Sequence, residues 1–379
     1  MRGSLITATI ILLHRRISAT RTVRMSQGSK LTRAIVRFAG LSVVFGLLAG
    51  LASATIVPHL DLEALTANAD LIVVGRAVSE RKLQQTKLGP DEGNLPAWRV
   101  DLRLEVEKVI KGKLSTGDVS VRMLQPVEGI GAEAPRYRGV RLGQFGVFFL
   151  ENSGTGYELL DPYNPFVPAA PGAPAPQGNY IDIIAAELAS VFTSHDVAVQ
   201  SRWVRWDAVM ALETLKTQAA TAALKIATED PDLLVRVWAI SALLTRKDTS
   251  VLEKVEKLGP APSDPRVENL TAQLEPALGR ITDKRAIPTL VRLLRSKDVN
   301  IRRGAAAALR NMQDPKAVKP LSQALFDSDQ QVRYYAVVGL GEITGQNEWT
   351  PSIANFNQNE KRFLDHWREW AKENAATYK

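Results

Sequence analysis

A chain of 379 residues is long enough for two domains with full-sized cores. Its formal charge of +8 suggests a polyanion or membrane binder, but eight of the 48 basic residues lie in residues 1–54, which hold no acidic one, and the remaining 40 face 40 acidic residues. No excess is then left to neutralise phosphates, so no nucleic-acid partner is expected; the absence of cysteine excludes disulfides, thiolate metal sites and cysteine nucleophiles.

Lys30, Arg33 and Arg37 precede an apolar stretch from Ala39 to Leu51, and Ala52-Ser53-Ala54 is a small-x-small site. This order predicts a secretory signal region over residues 1–54, cleaved after Ala54. Met25 reads as the true start, with residues 1–24 as an upstream extension. The apolar stretch is too short to span a bilayer comfortably, so the mature chain is expected to have no membrane span; an uncleaved anchor is the alternative. Cysteine-free export is ordinary in bacteria, which makes the periplasm or the cell exterior the expected location.

Residues 55–161 read as a small β domain. Asp61 is placed to cap a helix over Leu62–Asn68. Leu71-Ile-Val-Val-Gly75 is an apolar strand signal, and Trp98, Val100, Leu102, Leu104 and Val106 alternate with polar residues. Val119–Leu124 is a further strand. Gly146–Leu150 and Tyr157–Leu160 flank Asn152-Ser-Gly-Thr-Gly156, a hairpin signal. Five short strands and one helix predict a small barrel or sandwich. Ala69-Asp-Leu-Ile-Val-Val-Gly-Arg-Ala-Val78, followed by Val106-Glu-Lys-Val-Ile-Lys-Gly112, resembles the N-terminal module of many secreted bacterial proteins and the netrin-like OB barrel of inhibitors. The cysteines through which those inhibitors contact a metalloprotease are absent here, so the resemblance does not imply protease inhibition.

Residues 162–178 hold six prolines and two glycines. Such a stretch cannot be helix or central strand and reads as a semi-extended linker. Tyr163 and Phe166 are expected to pack back on the β domain, with free linker from about Ala169.

Residues 179–379 repeat one pattern five times. Val204, Val235, Leu270, Ile301 and Val332 each open it, at spacings of 31, 35, 31 and 31 residues. Ala or Gly follows at the seventh position and Leu at the eighth: Leu212, Leu243, Leu278, Leu309 and Leu340. A fixed period of this length means a stacked repeat array. The apolar offsets fall on one face of a helix, and the small seventh residue lets neighbouring helices approach. Asp283 and Asp314-Pro315 separate this helix from a second one. Ile181, Ile184, Leu188, Val191 and Phe192 predict an N-terminal capping helix, and Phe363, Trp367 and Trp370 a C-terminal one over about 360–374.

Asp298-Val-Asn-Ile-Arg-Arg-Gly-Ala-Ala-Ala-Ala-Leu309 and Asp329-Gln-Gln-Val-Arg-Tyr-Tyr-Ala-Val-Val-Gly-Leu340 resemble HEAT repeats of the short, phycobilisome-lyase-like kind. The resemblance implies an all-α solenoid. Bilin attachment is not carried over, because an exported chain would not meet a bilin. Arg205, Arg236, Arg302 and Arg333 each follow an opener; the third repeat has Thr271 instead. In HEAT arrays such arginines commonly pair with an aspartate of an adjacent turn, which implies a structural ladder with Asp232, Asp298 and Asp329; these three are also placed as helix caps. The alternative is a row that recognises acidic ligands. Trp203, Trp206, Trp238, Tyr334 and Tyr335 fall along one edge of the helices. They are candidate partner-binding residues; the alternative is that they fill gaps between alanine-rich helices.

His14, His59, His195 and His366 are dispersed, and none has a partner at metal-ligand spacing. Gly129-Ile-Gly131-Ala-Glu-Ala134 matches a dinucleotide fingerprint only superficially, since Pro135 follows rather than a helix. The reading is therefore a multidomain α+β protein, a small β-barrel or sandwich followed by an all-α HEAT solenoid. No catalytic residue, cofactor or metal is expected, and the function is scaffolding of an unidentified protein partner. A ligand-binding or inhibitory role of the β domain, and an enzyme of unrecognised type, are the alternatives.

Overall fold

The computed structural model describes residues 61–88, 94–127, 139–258 and 269–378. The signal region and the Gly129–Ala134 stretch lie outside them.

Asp61 caps helix α1 (Leu62–Asn68) by accepting a hydrogen bond from the Ala64 amide at 2.9 Å. A six-stranded sheet follows: β1 (Leu71–Lys87), β2 (Pro96–Lys111), β3 (Asp118–Pro126), β4 (Phe145–Asn152), β5 (Tyr157–Leu159) and β6 (Phe166–Pro168). β1 and β2 are far longer than the apolar signals that predict them, because their outer halves continue as a polar hairpin ladder from Ser79↔Arg103 to Lys87↔Pro96. β1 pairs with β2 on one side and β4 on the other. β3 runs parallel to β5, and β5 is antiparallel to β4, so the ladder β1–β2–β3–β5–β4 returns to β1.

The two faces of β1 and β4 are buried against different partners. Leu71, Val73, Phe148 and Leu150 join the core formed with β2 and β3. Ile72, Val74, Val147 and Phe149 join the core of the helical region instead, with Leu62 and Leu65 of α1. Burial on both faces is why these strands read as continuous apolar runs while β2 alternates.

The motif pair Ala69-Asp70 and Lys111-Gly112 meets in space. The Lys111 ammonium donates to the carbonyls of Thr66 and Ala67 at 3.0 and 2.9 Å, closing the C-terminus of α1. Asp70 accepts from the Asn152 amide at 2.8 Å. Gly112 has φ +87°, and a Cβ there would meet the Asp70 carbonyl oxygen at 2.6 Å. These residues hold the helix, β1 and the β4–β5 hairpin together.

The proline-rich stretch is not free spacer throughout. Its residues Phe166–Pro168 form β6, an edge strand on β4, the placement a proline permits. Packing continues two residues past the expected end, to Ala169 and Ala170, both buried in the core of the helical region.

The helical region comprises α2 (Tyr180–Thr193), α3 (Arg202–Thr214), α4 (Gln218–Ala227), α5 (Leu233–Thr245), α6 (Leu252–Glu256), α7 (Leu274–Gly279), α8 (Ile287–Leu293), α9 (Val299–Met312), α10 (Val318–Ala324), α11 (Gln330–Thr344) and α12 (Ile353–Asn374). The opener helices α3, α5, α7, α9 and α11 each pack on the next, and α2 packs on α4, α6 on α8 and α10 on α12. All five repeat leucines, Leu212 to Leu340, are fully buried. Asp232, Asp298 and Asp329 cap α5, α9 and α11. The third repeat departs from the pattern: its opener Leu270 lies in a 3-10 turn, Leu270–Gln273, and the α-helix starts only at Leu274. Pro276 explains this, since it has no N–H for the Ala272 carbonyl and its ring crowds that carbonyl.

α9 and α7 come close at Gly304, where a Cβ would stand 2.7 Å from the Leu278 Cβ and 3.0 Å from the Glu275 carbonyl oxygen. Alanine ordinarily favours a helix interior over glycine by about 1 kcal/mol. Here overpacking, costing roughly 1–3 kcal/mol, outweighs that gain. Gly304→Ala is therefore expected to lower the urea midpoint; a raised midpoint would show that the two helices separate freely.

The described residues form one compact unit. α2 joins its two parts. Ile184, Ala185, Leu188 and Val191 lie in the shared core, and Glu187, fully buried, accepts a hydrogen bond from Lys108 of β2 at 2.6 Å.

Candidate functional site

The arginines after four of the openers share one contact, and three of them make a second. In the shared contact a terminal nitrogen reaches back to carbonyls five and six residues earlier. Arg236 thus donates to Asp230 and Pro231 at 2.7 and 2.9 Å, Arg302 to Ser296 and Lys297 at 3.0 and 3.3 Å, and Arg333 to Asp327 and Ser328 at 2.8 and 2.9 Å. Arg205 does the same with Val199 and Gln200. In Arg205, Arg302 and Arg333 the rest of the guanidinium turns to the element that follows along the array. Arg205 Nε lies 2.9 Å from Asp230 Oδ2, and Arg302 grips Asp327 at 2.8 and 3.1 Å. Arg333 has no further repeat ahead of it and takes Glu360 of α12 instead, at 2.6 Å.

The carboxylates on these arginines are therefore Asp230, Asp327 and Glu360, not the cap residues Asp232, Asp298 and Asp329. The caps bind neighbouring positions. Asp232 pairs with Arg202 at 3.0 Å, Asp329 takes Arg303 at 2.9 and 2.7 Å, and Asp298 accepts from the Thr271 hydroxyl at 2.7 Å. Thr271 thus fills the arginine's place in the third repeat. In the second and fifth repeats the acid two residues before the cap faces the arginine after the preceding opener, and the cap carboxylate faces a second arginine of that same helix. The Arg303 guanidinium holds the Asp329 carboxyl below its ordinary range, and burial raises that of Glu275. These pairs are consumed within the array, which leaves little charge for an acidic ligand along this row.

The five aromatics form two groups. Trp203, Trp206 and Trp238 make a run of edge-to-face contacts, with centroids 6.1 and 5.9 Å apart. Tyr334 lies 5.8 Å from Tyr335 and 5.4 Å from Phe356 of α12, so these tyrosines pack the C-terminal end. Trp203 is 42 % exposed, whereas the other four are half-buried. Four of the five thus fill space between helices, and only Trp203 is offered to solvent.

The most exposed aromatic ring of the described residues is Phe326, which the repeat reading does not single out. It is 68 % exposed, in the turn after α10. One repeat earlier the equivalent residue is Arg295, so superposing the second helices of the two repeats would have found it. Phe326, Val291, Leu294, Arg295, Pro320 and Ala324 line a groove of about 220 Å³ between α8 and α10. The Arg368 guanidinium of α12 stands 4.6 Å from the Phe326 ring centroid and donates to the Leu325 carbonyl at 2.7 Å.

At the C-terminus Phe363 and Trp367 are buried, as is Phe356 one helical segment earlier. The helix begins seven residues before its expected start and bends at Asn359, whose φ is −130°. Burial depresses the pKa of His366, whose ring stacks on Trp349 at 3.6 Å. Among the described residues no group of three or more His, Asp or Glu is placed to hold a metal ion, and no helix is long and apolar enough to cross a membrane.

Residues 276–341 match the family of HEAT repeats. No curated protein matches the chain. Among solved structures, the crystal structure of an engineered protein from a structural genomics consortium is 20% identical. That match covers 44% of this chain and 82% of the other, with a TM-score of 0.29.

Proposed function

We propose, from the HEAT repeats at 276–341, that this protein is an exported, non-enzymatic scaffold whose helical region binds a protein partner in the bacterial cell envelope. The observation that carries this reading is the repeat match itself, since HEAT repeats are generally protein-interaction scaffolds. Stacked opener and second helices present a rigid surface that needs little ordering on binding. The β part is read as an OB-type barrel, supported by strand pairings that return to β1 and by the parallel β3–β5 pair. It serves to anchor one end of the array, in line with the shared core through Ile72, Val147 and Leu188.

The shared core decides how the reading is tested. Severing the chain in the proline-rich stretch would expose Ile72, Val74, Val147 and Phe149, so isolated halves would bind indiscriminately. The experiment is affinity capture from envelope extract with the intact mature chain and two surface variants, Trp203→Ala in the array and Leu83→Asp on the outer β hairpin; both side chains are exposed. Loss of a partner with the array variant supports the scaffold reading. Loss only with the hairpin variant moves the function to the β part. Export is tested by N-terminal sequencing of the secreted form, which is expected to begin at Thr55.

A further inference from the structure

We propose that the groove between α8 and α10 is a docking site for an acidic protein segment that inserts one large apolar side chain beside Phe326. This rests on the scaffold reading and assigns it a surface and a partner chemistry.

The groove has the right size for one side chain. Its volume of about 220 Å³ far exceeds the about 30 Å³ share of a water molecule but falls short of the about 300 Å³ at which small-molecule pockets begin. Its floor is apolar, formed by Val291, Leu294, Pro320 and Ala324. Phe326 forms one wall, and Arg368 stacked on the ring holds it in place, so little freedom is lost when a ligand arrives.

Charge selects the partner. Between Arg280 and Pro320 there are eleven basic residues and three acidic ones, Asp283, Asp298 and Asp314. Six of the basic residues are engaged: Lys284 with Asp314, Arg285 with Asp283, Arg292 with Glu256, Arg302 with Asp327, Arg303 with Asp329 and Arg310 with Glu342. Arg280, Arg295, Lys297, Lys316 and Lys319 are exposed and have no ion pair among the described residues. Arg295 lines the groove itself, and Lys316 and Lys319 lie one turn before Pro320 and Gln323 on the opposite wall. The single acid in the lining, Asp327, is already held by Arg302. An acidic segment therefore meets Arg295 on one wall of an apolar slot and Lys319 beside the other, whereas a basic one is repelled.

The test is fluorescence anisotropy with the whole mature chain and three labelled twelve-residue peptides. The first carries Asp and Glu around a central Leu-Phe pair, the second replaces that pair by serines, and the third replaces the acids by lysines. The first is expected to bind, with the second at least tenfold weaker and the third not binding. Phe326→Ala and Arg295→Glu should each weaken the first peptide at least tenfold; both sites are exposed, so unchanged thermal unfolding will confirm intact folds. No binding of the first peptide, equal binding of the first two, or indifference to both substitutions would overturn the groove assignment. If Trp203→Ala instead abolishes capture of the envelope partner, the scaffold reading survives that loss. If only the β-hairpin variant does so, the scaffold reading fails as well.

Discussion

Lys108→Ala should lower the stability of the protein at neutral pH by about 3–5 kcal/mol, the usual cost of leaving a buried charge without its partner. Lys108 joins three segments: it donates to Glu187 of α2 at 2.6 Å and to the Ala173 carbonyl of the proline-rich stretch at 2.9 Å, from its own place on β2. Glu187 is fully buried, and its second oxygen has no hydrogen-bond partner. Burial pushes the Glu187 carboxyl above its ordinary range; the Lys108 hydrogen bond and charge oppose this, while Glu107 adds to it. Removing Lys108 raises the carboxyl further. A raised carboxyl contributes stability that is present below the unfolded pKa and lost as pH rises through the folded one. The variant's deficit should therefore be largest at pH 7 and shrink towards acid, as read from urea unfolding at several pH values. Adding Glu187→Leu should recover most of the loss. A deficit that stays constant with pH, or is not relieved by the second substitution, would assign the effect to lost packing rather than to charge.

Arg205→Ala should cost a similar amount, about 3–5 kcal/mol, by stranding Asp230. The Asp230 side chain is fully inaccessible; its Oδ1 accepts from the Asp232 amide at 2.8 Å, and its Oδ2 has no hydrogen-bond partner and only the ion pair with Arg205. The substitution also removes the bonds to Val199 and Gln200, which fix the turn entering α3. Arg333→Ala should cost less, because Arg333 and Glu360 both retain partial exposure. Arg285→Ala, on a fully exposed side chain paired with Asp283 two residues away, should leave unfolding unchanged. The graded order is the test: if Arg333 proves as costly as Arg205, burial does not set the strength of the ladder.

Both expectations rest on contacts the sequence shows only in part. The position of each arginine after its opener is plain from the repeat, but its acid is not. Asp327 and Asp329 are equally plausible from spacing, and the path of the turn settles that Arg302 takes the first and Arg303 the second. The continuous apolar runs of β1 and β4 fit strands covered on both faces. They could not say that the cover is α1, β6 and α2, since Val74 and Leu188 are brought together by the whole intervening chain.

By itself the sequence determined what is local. Four of the five opener helices, the caps Asp61, Asp232, Asp298 and Asp329, and the buried leucines follow from interactions within a few residues, where periodicity and hydrogen-bond reach leave few choices. Only the tertiary structure decided what joins distant segments: the return of the strand ladder to β1, the bond of Lys108 to Glu187 and the groove beside Phe326. Each of these is a meeting of side chains or strands far apart along the chain, and such meetings are set by how the elements pack, which no short window of residues contains.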